Sequence, residues 1–264
     1  MTRLAGEPTG WHRGVELKSE REIAVMRQAG RIVALAIGEM QAKLKPGITG
    51  RQLDAIAEKV IAQNKAEAAF RGYAGPYPYP FVTTISINEQ LVHSLPTKRE
   101  IRAGDLVSLD CGVRYQGFYA DMAVSVGVGR CSSDVEHLLA VTAQALQAGI
   151  KQFLPGQRVG DVSAAIQNHV EASGYYLAEG YTGHGIGRHM HEDPSIPNVG
   201  QAGTGRLLRV GLVAAIEPMV MVGTSQTMTQ PDEWTVVSAD GSLACHFEHT
   251  VALLPSGPEV LTKV

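Results

Sequence analysis

Two stretches of the chain repeat each other, and this limits the folds open to it more than any other feature. "KPGITGRQLDAIAEKVIAQ", from residue 45, opens with a Pro-Gly break and places Leu53, Ile56, Val60 and Ile61 on one face of a helix. "LPGQRVGDVSAAIQNHVEASG", from residue 154, follows the same plan. Pro46-Gly47 matches Pro155-Gly156, and Gly50, Ala55, Ile56 and Val60 match Gly160, Ala165, Ile166 and Val170 after a one-residue insertion. Each stretch follows an apolar segment with helical spacing: "LKSEREIAVMRQAGRIVALAIGEMQAKL", with Ser19 and Glu22 as a capping box, and "VEHLLAVTAQALQAGIKQF". The strands continue the pattern, since "GDLVSLD" ends in Asp110 and "GLVAAIE" in Glu217, each six residues after a glycine. Two copies of one unit are therefore expected, each of helix, helix and antiparallel strands. The fold class is α+β: pseudo-two-fold duplicated halves with a curved antiparallel sheet covered by helices, and a functional site where the halves meet. Residues 1–17, mixed and turn-rich, read as an N-terminal extension, and 18–264 as a single domain.

With 264 residues, 44% of them hydrophobic and 19% charged, the chain can bury a core of that size. A net charge of -3 and a pI near 6.3 offer no electrostatic footprint for nucleic acid or an anionic membrane. The N-terminus lacks an apolar signal core, and no later run approaches the roughly 20 apolar residues of a membrane span, so a cytoplasmic location without membrane attachment is expected. Cys111, Cys131 and Cys245 are odd in number and far apart, which argues for reduced, mostly buried thiols.

Chemistry gathers in "YTGHGIGRHMHEDP", residues 181–194. Gly183, Gly185 and Gly187 each cost a helix about 1 kcal/mol and let backbone pass close to something, so His184, His189 and His191 are expected on a loop. Three solvated histidines and a metal or substrate site both fit that stretch. The alternation in "LVSLDCGVRYQGFYADMAVSVGVG" marks a hairpin turning near Gln116-Gly117. Counting outward from between Tyr115 and Gln116 sets Asp110 opposite Asp121, at the roughly 5 Å of cross-strand neighbours. Like charges so placed in an apolar strand need a shared proton or a cation, unless one of them faces solvent or caps a turn. Glu217 after "LVAAI" and Glu248 within "ACHFEHTVALL" form a second pair in similar surroundings. Four acids with a glycine-held histidine suit a pair of divalent ions such as Mn, Fe, Co or Zn, whose chemistry is hydrolysis. No phosphate-binding glycine loop, arginine cluster or Gly-x-Ser-x-Gly elbow accompanies them, which favours an amide over a phosphoester and over a serine nucleophile.

In this order Asp110, Asp121, His184, Glu217 and Glu248 resemble the metal set of the pita-bread metallopeptidases. Within that superfamily the chain is similar to the type I methionine aminopeptidases from about residue 18 to 262, through "SINE" followed by His93, the aspartates eleven apart, "GHGIGR", "IEPMV", "WTV" and "FEHT". The resemblance implies a pita-bread fold and a dimetal aminopeptidase. Its substrates would be nascent proteins and peptides with an N-terminal methionine and a small second residue. It further implies a monomer, with ribosome association as an additional expectation. In family terms the five residues hold two ions and Glu217 also relays the proton of the water. His191 would bind the scissile carbonyl region, and His93 the peptide amide and leaving nitrogen. Tyr73, Phe81, Met190 and Trp234 are the expected walls of the side-chain pocket. His189, His169 and His246 have no motif counterpart and read as incidental.

The chain departs from the family at several positions. Ser94 stands where glycine is usual, Ala120-Asp121-Met122 where Gly-Asp-Thr is usual, Phe70 and Thr84 where cysteines are frequent, and Met190 where phenylalanine is common. These departures point to intact metal chemistry and a looser pocket. Two other functions are compatible with the motifs. An X-Pro aminopeptidase or dipeptidase shares the metal set but usually has Glu-Pro-Gly where this chain has Glu217-Pro218-Met219. A catalytically silent binding module would be expected to lack a ligand, and all five are present.

Overall fold

A computed structural model describes residues 12–264; residues 1–11 of the expected extension lie outside the described residues. The helices pair as the repetition requires. Helix α1 (Glu20–Lys43) starts at Ser19, whose side chain accepts from the Glu22 N–H while the Glu22 carboxylate accepts from the Ser19 N–H (2.8 Å). Thr49 and Gln52 form the same reciprocal cap on α2 (Gly50–Gln63). Helix α3 (Ser133–Gln152) is capped by Ser132, and α4 (Val159–Ala172) follows Arg158. Val33, Ile37 and Leu53 of the first helix pair pack on Leu109, Val113 and Ala120. Leu138, Leu146 and Ile166 of the second pack on Ala214, Ile216 and Val251. These are two separate cores, one per half.

Between them runs a nine-stranded antiparallel sheet. Its main path is Glu67–Ala68, Leu106–Tyr115, Phe118–Gly127, Glu248–Leu254, Val213–Ile216, Thr182–Gly185 and Glu192–Pro197, with Thr83–Ile87 paired to Leu106–Tyr115 and Gly257–Val260 to Glu248–Leu254. The halves are stitched where Ala123 faces Glu248 and Met122 faces His249. A smaller sheet of Gln90–Val92, Val236–Ser238 and Thr227–Thr229 stands at one end.

Two expectations change in detail. The hairpin turns on Gln116 (φ 48) and Gly117 (φ 86), both left-handed as a tight two-residue turn requires, so Tyr115 faces Phe118. Asp110 then faces Ala123 and Asp121 faces Gly112, a register two residues away from direct opposition. Because strand side chains alternate with period two, a two-residue shift keeps both aspartates on one face and makes them diagonal neighbours. The second change concerns His184, which lies on the strand Thr182–Gly185, paired with Ala215 and Ser195, rather than on a loop. None of the three glycines around it has positive φ. Instead, a Cβ at Gly183 would run into the Ala215 carbonyl, at Gly185 into the Asp193 carbonyl, and at Gly187 into the Lys18 side chain. What passes close is the protein itself. All three cysteines are free, Cys111 and Cys245 buried and Cys131 partly so. Among the described residues no helix is long and apolar enough to cross a membrane.

Candidate metal centre and substrate cavity

Register explains how five distant residues share one spot. Asp110, Ala123 and Glu248 face one another across three adjacent strands, and His249 opposite Ile216 brings Glu217 one step further along to the same rung. Two residues away, Thr250, Ala215 and His184 form the next rung on that face. Asp121 joins from its diagonal position, and its backbone is clamped by Thr250, whose hydroxyl accepts from the Asp121 N–H (2.9 Å) and donates to its carbonyl (2.8 Å). The methyl of Ala123 leaves space between Asp110 and Glu248. Ligand atoms of Asp121, His184 and Glu248 lie within 4.8 Å of one another, and His184 Nε2 is 3.7 Å from Glu217 Oε1.

The electrostatics of this cluster call for a cation. Asp110, Asp121, His184 and Glu248 are buried. Burial pushes all four carboxyls above the ordinary carboxylate range, and the charges of their neighbours push Asp121, Glu217 and Glu248 further. Asp110 Oδ1 and Glu248 Oε1 are buried without a hydrogen-bond partner. Native interiors seldom leave such atoms unsatisfied, and a divalent ion would satisfy them. Burial lowers the His184 pKa to about 4, which keeps the ring neutral, as a metal ligand must be. Its Nδ1 donates to the Gly185 carbonyl (2.9 Å), so Nε2 is the nitrogen with a lone pair facing the acids. The donor set therefore fits divalent metal.

A cavity of about 400 Å³ opens beside these ligands. Of the expected walls, Tyr73, Met190 and Trp234 line it, together with His93 and His191. Phe81 does not. It packs edge-on to Tyr79 (6.2 Å), with the Arg51 guanidinium 4.1 Å over its ring. Tyr79 takes the place expected for Phe81, its hydroxyl shared between the Thr83 and Ser94 carbonyls (2.9 and 3.0 Å). Tyr79 and Phe81 lie two residues apart in "PYPYPF", outside any strand, so no local periodicity separates the ring that lines the cavity from the one that does not. Phe70 and Tyr181 line the cavity as well. Trp234 packs against Gly75, where a Cβ would overlap its ring. The Tyr73 hydroxyl and His191 Nδ1 share a hydrogen bond (2.8 Å), and the rings of His191 and His184 are 4.3 Å apart. His93, at φ 58 just past the strand Gln90–Val92, is exposed at the cavity and stands 6.1 Å from the Tyr181 ring.

The departures at the metal set have structural reasons. The Thr84 hydroxyl donates to Asp110 Oδ2 (3.0 Å), so it serves the carboxylate in addition to lining the pocket. Ala120 and Met122 flank Asp121 on the opposite face and pack into the first core. Ser94 is fully buried and accepts from the Ser86 hydroxyl (3.0 Å). Of the histidines read as incidental, His246 is not a surface residue. It is 1% exposed, and its Nε2 lies 3.9 Å from Asp110 Oδ2.

A duplicated α+β fold with a buried cluster of four carboxylates and one imidazole beside a peptide-sized cavity defines a metallopeptidase. The model of metallopeptidase family M24 matches residues 24–254, and the chain belongs to that family. Within it, the chain is 44% identical to a methionine aminopeptidase of Clostridium perfringens over 94% of this chain and 98% of that one. It is also 44% identical to methionine aminopeptidase 1 of Mycobacterium tuberculosis over 99% and 98%. The crystal structure of a methionine aminopeptidase from Thermotoga maritima superposes with a TM-score of 0.92 at 42% identity, covering 95% of this chain and all of that one. The prolidase of Pyrococcus furiosus shares the fold at a TM-score of 0.75 and 22% identity, over 94% of this chain and 65% of that one.

Proposed function

We propose that this protein is a metalloaminopeptidase removing N-terminal methionine from nascent proteins and peptides with a small second residue. The observation that carries the reading is the meeting of the five ligands, on one face of the sheet, with an apolar and aromatic cavity that His191 and His93 also line. Asp110, Asp121, His184, Glu217 and Glu248 would hold two divalent ions, Mn, Fe, Co or Zn, which when bound would supply an activated water and Lewis-acid polarisation of the scissile carbonyl. Glu217 accepts the water's proton and passes it to the leaving nitrogen. With the Tyr73 hydroxyl as donor in its bond to His191 Nδ1, the Nε2–H of His191 would meet the carbonyl oxygen, while His93 would steady the peptide amide. Tyr73, Tyr79, Met190 and Trp234 enclose the methionine side chain. The unit is a monomeric single domain, residues 18–264, working in the cytoplasm on chains emerging from the ribosome.

The test is hydrolysis of short peptides varied at the first two residues, with Mn, Fe, Co or Zn returned to metal-stripped protein. Met-Ala-Ser is cleaved with a higher kcat/KM than Leu-Ala-Ser or an X-Pro peptide. Faster cleavage of X-Pro peptides would replace this reading with the X-Pro one, and no cleavage with any metal would leave a binding module.

A further inference from the structure

The loop carrying Met190 and His191 faces the cavity on one side; the chain's own N-terminal segment lies against the other. The His12 N–H donates to the His191 carbonyl (2.8 Å), and the Asp193 N–H donates back to the His12 carbonyl (3.1 Å), a parallel bridge centred on Glu192. The Gly14 N–H reaches Asp193 Oδ2 (2.9 Å), and the His12 ring stacks on His189, 4.4 Å apart and 10° from parallel. At the end of the segment Lys18 enters the interior. It is 6% exposed and Glu192 is 1% exposed. Lys18 Nζ donates to Glu192 Oε2 and to the Glu16 carbonyl (2.9 Å), while Glu192 Oε1 accepts from the His189 N–H (3.0 Å). The Lys18 N–H is bound to the Gly211 carbonyl (2.7 Å), just before the strand Val213–Ile216 that leads to Glu217. Gly187 is bare because the Lys18 side chain occupies the space of its Cβ.

Replacing a buried lysine–glutamate pair by apolar residues of the same volume is often neutral or stabilising, so stability alone is a weak reason for such a pair. This pair sits where its geometry sets the path of residues 187–193, between the strand that leads to Glu217 and the histidine that meets substrate. We propose that residues 12–18 are a strap that positions the His191 loop, with Lys18 and Glu192 as its positioning residues. Residues 12–17, the described part of the segment read from sequence as an extension, thus belong to the working site. This deepens the aminopeptidase reading and rests on it for the role of His191. Displacing a substrate-positioning group by about 1 Å can cost on the order of 10²-fold in rate.

Lys18→Met alone strands a buried carboxylate and can compromise folding, so the decisive variant is Lys18→Met/Glu192→Gln. It removes both charges and keeps an oxygen to accept from the His189 N–H. In this variant amide exchange over residues 187–193 is expected to quicken about tenfold, with the strand Leu106–Tyr115 unchanged. The value of kcat on Met-Ala-Ser falls about tenfold or more, while calorimetric metal affinity stays within about threefold of wild type. A folded double variant with wild-type kcat and wild-type exchange in the loop would overturn the proposal. So would a uniform rise in exchange with a lower Tm and unchanged kcat, because that is the mark of a purely structural ion pair. If the wild-type protein cleaves no peptide, the aminopeptidase reading fails, and the exchange measurement still decides whether the strap holds the loop.

Discussion

The two halves of the molecule share a scaffold and divide the chemistry unequally. Asp110 and Glu217 stand at matching places, each six residues past a glycine, Asp110 within and Glu217 just past a strand packed against its own helix pair. Their partners across the sheet match in position but not in kind: Ala123 faces Asp110, and Glu248 stands on the rung of Glu217. The first half recovers its second acid two residues nearer the turn, at Asp121. The turns differ still more. In the first half Gln116 and Gly117 close the hairpin. In the second the chain between Glu217 and Glu248 makes the strands Met219–Met221, Thr227–Thr229, Val236–Ser238 and Ala244–His246 and delivers Trp234 to the cavity. Duplication supplied two similar frames, and the long connection of the second half adds Trp234 to a cavity that the first half walls with Phe70, Tyr73 and Tyr79.

The strongest break in this near-symmetry is Glu217→Gln. It keeps size and shape but removes the carboxylate proposed to accept the proton, and hydrolysis is expected to fall on the order of 10²-fold or more with far-UV circular dichroism unchanged. Wild-type turnover in metal-replete buffer would remove Glu217 from the mechanism. Next come two histidines five residues apart. His184→Ala deletes an imidazole with no ligand equivalent in the first half, and calorimetric titration of stripped protein should show metal affinity at least about tenfold weaker. His189→Ala, altering an exposed ring, should match wild type; equal losses in the two variants would sink the division of roles.

Thr84→Val probes the first half alone. Losing the hydroxyl that donates to Asp110 at 3.0 Å should weaken metal binding about tenfold without altering the Met-over-Leu ratio. A changed ratio with intact affinity would make Thr84 a pocket residue only. The smallest effect is expected at Met190, whose flexible chain replaces a rigid ring beside Phe70 and Gly112. Met190→Phe should sharpen the kcat/KM preference for Met-Ala-Ser over Leu-Ala-Ser, within the roughly 1–3 kcal/mol by which an apolar pocket distinguishes such side chains. A preference that stays level would show that Trp234, Tyr73 and Tyr79 alone set the fit.

Local order in the sequence determined the helices, the Ser19 capping box, the duplication and the common face of the two aspartates, because helical period, capping and strand alternation act between residues near in the chain. That the aspartates share a face survived a two-residue error in register because strand parity is blind to it. Tertiary structure decided which atoms meet. Asp110 faces Ala123 because of left-handed φ at two turn residues, and Gly183, Gly185 and Gly187 are bare because of partners far along the chain or on other strands. It also set Tyr79 rather than Phe81 in the wall, buried His246 beside Asp110 and turned the Thr84 hydroxyl onto a ligand. The strap is the extreme case. Lys18 and Glu192 are 174 positions apart, and no local pattern in "GVELKSE" distinguishes a solvated lysine from one buried behind the His191 loop. Their pairing depends on the packing of both segments around a common interior, which propensity and periodicity do not encode.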